Sequence, residues 1–151
     1  MSLVRVNRKL YGFTKVSAGF DQPQVMSQGF IFDMDSKTYS KFVLTGDLAG
    51  TTYSPGATQE TIPAYYDGIA IRRWNYSSST RGTIYSVNLT PSSGTGTVAD
   101  PYVLQQTGRA VAGSGAMDPI YVYSRLVWCA AAQCALVIPR ASQNWRALKL
   151  S

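Results

Sequence analysis

The apolar residues of this chain fall into short runs that are typical of β-strands. Each run is rich in β-branched and aromatic residues and is bounded by Gly, Pro, Ser, Asp or Thr. These runs occupy residues 3–6, 29–32, 41–44, 65–74, 83–89, 102–104 and 120–128. Segments rich in turn residues separate them, for example residues 46–50, 53–56 and 90–96. The pattern predicts an all-β fold, an antiparallel β-sandwich or jelly-roll-like barrel with long polar loops.

One strand is predicted over Tyr65–Trp74. Ile69 and Ile71 are two positions apart and would lie on the same face of this strand. Arg72 and Trp74 would lie on the opposite face. This alternation indicates a strand with one side buried.

Residues 127–137 could form either a short helix or two strands. The alanines in the middle favour a helix, whereas Val127 and Val137 at the ends favour strands, and Pro139 stops either element. We predict two buried strands joined by a small turn.

Cys129 and Cys134, on either side of that turn, are predicted to be buried free thiols. A zinc site needs further ligands, and the chain has no other cysteine and no histidine. A disulfide is disfavoured in the reducing cytoplasm in which we expect the protein to be made. That expectation comes from the N-terminus, which lacks the apolar region of a secretory signal.

The chain length of 151 residues is typical of one domain, and we predict a single β domain over residues 1–151. The longest apolar stretch, residues 126–138, is shorter than the about 20 residues that a membrane span requires. We therefore expect no membrane association.

The charged fraction of 15% is low compared with about 25% in an average domain. The net charge is nevertheless +6, and the excess cations lie near both ends of the chain. Four precede the first acid, Asp21, and four follow the last acid, Asp118: Arg5, Arg8, Lys9 and Lys15, and then Arg125, Arg140, Arg146 and Lys149. A basic surface suits nucleic acid, an acidic protein or a membrane, or simply keeps the protein soluble.

Catalytic residues are difficult to find in this sequence. Without histidine, Ser-His-Asp and Cys-His catalysis are excluded. Asp33 and Asp35 form the only close acidic pair, and we interpret them as turn residues. Gly94 and Gly96 lack the lysine and the context of a phosphate-binding loop. We predict no enzyme activity, no catalytic or metal-binding residues and no cofactor.

Nucleic acid is a second class of partner to weigh. Arg72, Arg73 and the nearby Arg81 accompany aromatic residues that could stack on bases. Alternation along a strand turns only half of such residues to one face, and strand aromatics usually pack in the core. Nucleic-acid binding at these arginines is therefore considered but not favoured.

The segments Gly29–Asp33, Thr38–Leu44 and Thr61–Ile71 resemble small structural proteins of tailed bacteriophages. These include head decoration or cement proteins and minor tail proteins. The resemblance covers residues 25–140 and rests on apolar strands that alternate with polar, Gly/Ser/Thr-rich connections. It implies a β-sandwich or jelly-roll-like module that attaches to a virion and associates with copies of itself. The resemblance contains no diagnostic motif, so it assigns no functional residue.

We therefore expect a virion structural protein that is made in a host cytoplasm and binds capsid or tail proteins, with homo-oligomers expected. Residues 1–15 and 140–151 are predicted assembly arms, although each could be an edge strand of its own domain. The predicted contact residues in these segments are Arg5, Arg8, Tyr11, Trp145, Arg146 and Leu148.

Two alternatives remain open. The first is a small viral coat protein whose basic termini contact the packaged genome. The second is a carbohydrate- or receptor-binding module, in which Trp74, Tyr76, Trp128 or Trp145 would offer flat faces to sugars, although Trp128 is more simply explained as a core residue.

Overall fold

A computed structural model describes residues 2–16, 24–47, 52–53, 64–75, 83–110, 125–138 and 146–148. These residues form strands and connections and no helix, which confirms the all-β prediction. The strands are β1 (Ser2–Val6), β2 (Lys9–Val16), β3 (Gln24–Asp33), β4 (Thr38–Gly46), β5 (Thr52–Tyr53), β6 (Ala64–Tyr66), β7 (Ile71–Asn75), β8 (Thr83–Val87), β9 (Tyr102–Ala110), β10 (Arg125–Cys129), β11 (Cys134–Ile138) and β12 (Arg146–Leu148).

Most strands belong to one sheet that curls into a nearly closed barrel. Its strand order is β1-β2-β3-β4-β9-β8-β7-β6, and β5 pairs separately with β3. The two end strands, β1 and β6, contact each other, which brings the sheet close to closure. Every pair is antiparallel except β4 and β9, which run parallel. The sequence pattern did not predict this parallel pair.

The barrel interior is filled by alternate residues of the strands. Phe13, Phe42, Ile71 and Leu104 are among the largest fully buried side chains. The rings of Phe13 and Phe42 meet edge to face, with their centroids 5.3 Å apart. Neighbouring positions on each strand face outward, as the period of two requires.

Residues 2–16 lie in this sheet as β1 and β2. β1 is an end strand of the sheet and pairs with β2 from Ser2 with Phe13 to Val6 with Lys9.

The prediction of a single strand over Tyr65–Trp74 is wrong, because a turn separates β6 from β7 in this segment. The Asp67 carboxylate accepts hydrogen bonds from the amides of Ile69 and Ala70, both at 2.9 Å. Gly68 has a φ of 96°, which glycine adopts without strain. As a result, Ile69 is 82% exposed whereas Ile71 is fully buried.

A second, smaller sheet has the order β10-β11-β12. The prediction of two strands joined by a small turn is confirmed here, because β10 and β11 form a hairpin around residues 130–133. The expectation that both strands are buried is wrong for β10, in which Val127 is 47% exposed. Cys129 and Cys134 are register partners at the base of this turn, and both are free thiols. Cys134 is buried as predicted, whereas Cys129 is only partly buried.

Candidate functional site

Four connections lie at one end of the barrel, which we call the turn end. They comprise residues 7–8, 34–37, 67–70 and 88–101. The register places them together, because β1 and β2, β3 and β4, and β6 and β7 each close their hairpins there, and Ile71 at the start of β7 pairs with Val87 at the end of β8.

Polar contacts brace the turns at residues 7–8 and 34–37. The Asp33 carboxylate accepts hydrogen bonds from the amides of Ser36 and Asp35, which lower the pKa of this carboxyl. The Arg8 guanidinium forms an ion pair with Asp35 at 2.7 Å. The Met34 amide donates to the Arg8 carbonyl at 2.9 Å, which ties the two turns to each other.

The long connection between β8 and β9 is held by Asp100. Its carboxylate accepts a hydrogen bond from the Thr95 amide, and its carbonyl accepts one from the Gly96 amide, both at 2.9 Å. The Gly96 carbonyl in turn accepts a hydrogen bond from the Lys41 amide of β4. This framework presents Val98 with 75% of its surface exposed.

A second surface lies on the outside of the barrel, on β1 to β4. It carries the rings of Phe30, Phe32 and Tyr39, and we call it the aromatic face. The Tyr39 ring lies 4.7 Å from that of Phe32 and 5.9 Å from that of Phe30, centroid to centroid. Phe30 covers Gly12, its register partner on β2, and a Cβ on Gly12 would come within 2.4 Å of the Phe30 ring. Tyr39 is 71% exposed.

Arg5 and Lys41 flank the rings on opposite sides of the aromatic face. One outward row of register partners runs from Arg5 on β1 through Leu10 and Phe32 to Tyr39 on β4. The next row ends at Lys41, which pairs with Phe30. The ion pairs of the described residues involve Arg8, Lys9 and Arg72, so neither Arg5 nor Lys41 is neutralised by a described carboxylate.

Sequence reasoning missed the aromatic face. The alternation at Phe30 and Phe32 signals that both rings share one side of β3, but burial of that side was the simpler interpretation. Only the register across residues 34–37, which places Tyr39 opposite Phe32, identifies the cluster.

The predicted assembly residues have different environments. Arg5 and Arg8 are exposed, and Arg5 donates from Nε to the Asn7 carbonyl at 3.0 Å. Tyr11 points into the barrel core, and its burial raises the pKa of its phenol. A partner therefore cannot reach Tyr11 without opening the barrel.

The remaining predicted assembly residues lie at the C-terminal end. Arg146 and Leu148 belong to β12, which pairs with β11, and their side chains lie outside the described residues. Trp145 also lies outside them.

Of the arginines considered for nucleic-acid binding, Arg72 and Arg73 do not share one surface. Arg73 is only 4% exposed; its guanidinium lies 4.5 Å from the centroid of the Phe13 ring and donates to Gln106 Oε1 at 2.7 Å. Arg72 points outward but is held by Asp67 at 2.5 Å and by the Ser86 hydroxyl. Arg81 lies outside the described residues.

The part of the chain that the structure covers has no cluster of His, Cys, Asp or Glu side chains that could hold a metal ion. It also contains no helix that is long and apolar enough to cross a membrane. The arrangements found at the turn end and on the aromatic face are suited to binding.

Comparisons with protein-family models, with curated proteins and with solved structures find no match to this chain.

Proposed function

We propose that this protein is a virion structural protein, a head decoration or cement protein or a minor tail component, that acts by protein–protein assembly on a particle surface. Its partners would be capsid or tail proteins, with further copies of the chain. The observation that carries the proposal is the turn end, where Ile69 and Val98 project from braced connections with 82% and 75% of their surfaces exposed.

Exposed aliphatic side chains on rigid turns are suited to docking. The Ile69 turn is fixed by the Asp67 carboxylate, and the Val98 connection is fixed by Asp100. Because these connections are already ordered, binding would not have to order them again, and that cost is one of the main terms that weaken association. Burial of each side chain against a partner would then contribute most of its hydrophobic free energy.

Two further features support assembly. The low charged fraction of 15% is suited to a protein that is enclosed by neighbours, because the cores of interfaces are depleted in charge. The resemblance of residues 25–140 to small phage structural proteins points to the same class of function.

The test is particle association. We expect the protein to be found in purified virus particles and the recombinant chain to pellet with particles that lack it. The variant Ile69→Ser/Val98→Ser should bind particles at least about tenfold more weakly, which corresponds to a loss of about 1.4 kcal/mol. The matched control is Val127→Ser, which removes an exposed valine from the smaller sheet and should leave binding unchanged. A strictly monomeric protein that is absent from particles would overturn the proposal.

A further inference from the structure

The aromatic face joins three rings and two cations on the outer surface of one sheet. The rings of Phe30, Phe32 and Tyr39 occupy its centre, and Arg5 and Lys41 lie on either side. We propose that this face binds single-stranded nucleic acid, with the bases stacked on the rings and the phosphates held by the two cations. This inference uses a different surface from the turn end and does not depend on the assembly function proposed above.

The rings provide a platform for stacking. Tyr39 is 71% exposed although it contacts both phenylalanines, so one side of the cluster remains open to a flat ligand. Phe30 and Phe32 are half-buried, and the Phe30 ring lies over Gly12. A base that stacks on such a platform gains about 1–3 kcal/mol, whichever base it is.

The charges on this face favour a polyanion. Arg5 and Lys41 are exposed and form no ion pair with the described carboxylates. The outward positions of the face are otherwise neutral: Leu3, Leu10, Gly12, Thr14, Gln28, Phe30, Phe32, Tyr39 and Val43. Because none of these described positions carries a carboxylate, a phosphate backbone would meet attraction there without repulsion.

A second copy of the chain fits this face poorly. A twofold contact brings the same patch of both subunits together, so Arg5 and Lys41 would meet the same cations of the copy. Among the described outward positions of this face, no carboxylate offsets that repulsion. A glycan also fits poorly, because its hydroxyls need strong acceptors such as carboxylates, and the neutral polar side chains described there, Thr14, Gln28 and Tyr39, include none.

The platform requires bases that are free to leave their own stacks. In a duplex the bases are paired and stacked, so their flat faces cannot reach Tyr39 and Phe32. Single strands present both the base faces and the phosphates. Because neither group differs between RNA and DNA, we expect single strands of both to bind.

Fluorescence anisotropy with labelled oligouridylate and oligothymidylate of about 12 nucleotides tests the proposal, since platforms of this kind cover about 4–16 nucleotides. The full chain should bind both at low salt and should bind a mixed-sequence duplex of the same length at least about tenfold more weakly. Tyr39→Ala should weaken single-strand binding by about 5- to 150-fold, the loss of one stacked base. Tyr39→Phe keeps the ring and should retain the affinity.

Lys41→Gln tests the phosphate contact. It should lower the slope of log affinity against log salt concentration by about 0.7, the value for one phosphate of a single strand. Lys37→Gln is the matched control, because Lys37 lies in the turn between β3 and β4 and belongs to neither outward row of the aromatic face. It removes the same charge and should change the slope much less.

Three results would overturn the proposal. One is no binding of either oligonucleotide at low salt, and another is duplex binding as tight as single-strand binding. The third is unchanged affinity in Tyr39→Ala together with equal salt slopes in Lys41→Gln and Lys37→Gln. If this face binds a protein or a glycan but no oligonucleotide, the proposal is likewise overturned.

Discussion

The indole of Trp128 stacks on the ring of Tyr65, with the ring centroids 5.7 Å apart and the planes 8° from parallel. Tyr65 pairs with Arg72 on the outer side of the barrel, so its ring would be open to solvent if the barrel stood alone. It is only 5% exposed because β10 of the smaller sheet covers it. This stacked pair therefore joins the two sheets.

Replacement of Tyr65 by phenylalanine should not destabilise the protein. The Tyr65 hydroxyl is buried and has no hydrogen-bond partner among the described atoms. Tyr65→Phe removes this unsatisfied group and keeps the stack, so the free energy of unfolding should rise by up to about 1 kcal/mol. The matched control is Tyr66→Phe. In the wild type the Tyr66 hydroxyl donates to the Gly68 carbonyl at 2.8 Å, so its removal should lower the free energy of unfolding by about 0.5–1.5 kcal/mol. Denaturant titration measures both, and a reversed order of the two variants would contradict the prediction.

The same phenol should make the fold sensitive to alkali. Burial raises the pKa of Tyr65 from 10.0 to about 12. The native state thus favours the neutral phenol, so its contribution to stability is intact below pH 10 and is lost as the pH rises towards 12. Thermal unfolding between these pH values should show a steeper decline in Tm for the wild type than for Tyr65→Phe. Parallel declines would show that other groups control alkaline unfolding.

The Asp67 turn should control part of the acid sensitivity. Burial alone would raise the pKa of this carboxyl, but hydrogen bonds from the Ala70 and Ile69 amides and the Arg72 guanidinium outweigh it and lower the pKa below 3.8. The stabilisation is therefore complete above the unfolded value of 3.8 and is lost as the pH falls through the lower folded value. Asp67→Asn should cost about 1–3 kcal/mol at pH 7. Urea titrations should show that the difference in free energy of unfolding between the wild type and Asp67→Asn disappears as the pH falls below 3.8. A difference that persists in acid would exclude the carboxylate as its cause.

Local patterns in the sequence predicted much of the fold. The β-branched pattern of Leu3–Val6 and the residues that flank the alanines at 130–132 each favour strands without any help from distant residues. The prediction failed at residues 67–70, where local hydrogen bonds compete with the alternating pattern of a strand. The alternation of Ile69 and Ile71 is typical of a strand, but the Asp67 carboxylate and Gly68 stabilise a turn between them.

The candidate site was predictable only in part, because it depends on strands that are distant in the sequence. Arg73 enters the barrel because Phe13 provides a ring for its guanidinium and Gln106 provides an acceptor, and these residues come from β2 and β9. Nothing near Arg73 in the sequence signals either contact. The exposure of Tyr39 likewise follows from its position on the outside of a nearly closed barrel, which a strand pattern cannot distinguish from the inside.

Two glycines on paired strands should respond differently to alanine. A Cβ on Gly29 would lie 2.0 Å from the Gly12 carbonyl oxygen and 2.4 Å from the Phe42 ring, a backbone atom and a fully buried side chain. A Cβ on Gly12 would meet only the ring of Phe30, which is half-buried on the outer surface and can rotate away. Gly29→Ala should therefore cost about 3 kcal/mol or more, and Gly12→Ala about 1 kcal/mol. Chemical denaturation measures both variants, and equal losses in the free energy of unfolding would contradict this prediction.

The two thiols should react at different rates. Cys129 and Cys134 are register partners, yet Cys134 is buried and Cys129 is partly exposed. Because a thiol reagent must reach the sulfur, the native protein should show one fast and one slow phase with Ellman's reagent, separated by at least about tenfold. Cys129→Ser should remove the fast phase and Cys134→Ser the slow one, while the denatured wild type should react in a single phase with two equivalents. Denatured, unreduced protein that releases no thiol signal would instead show that the pair had formed a disulfide.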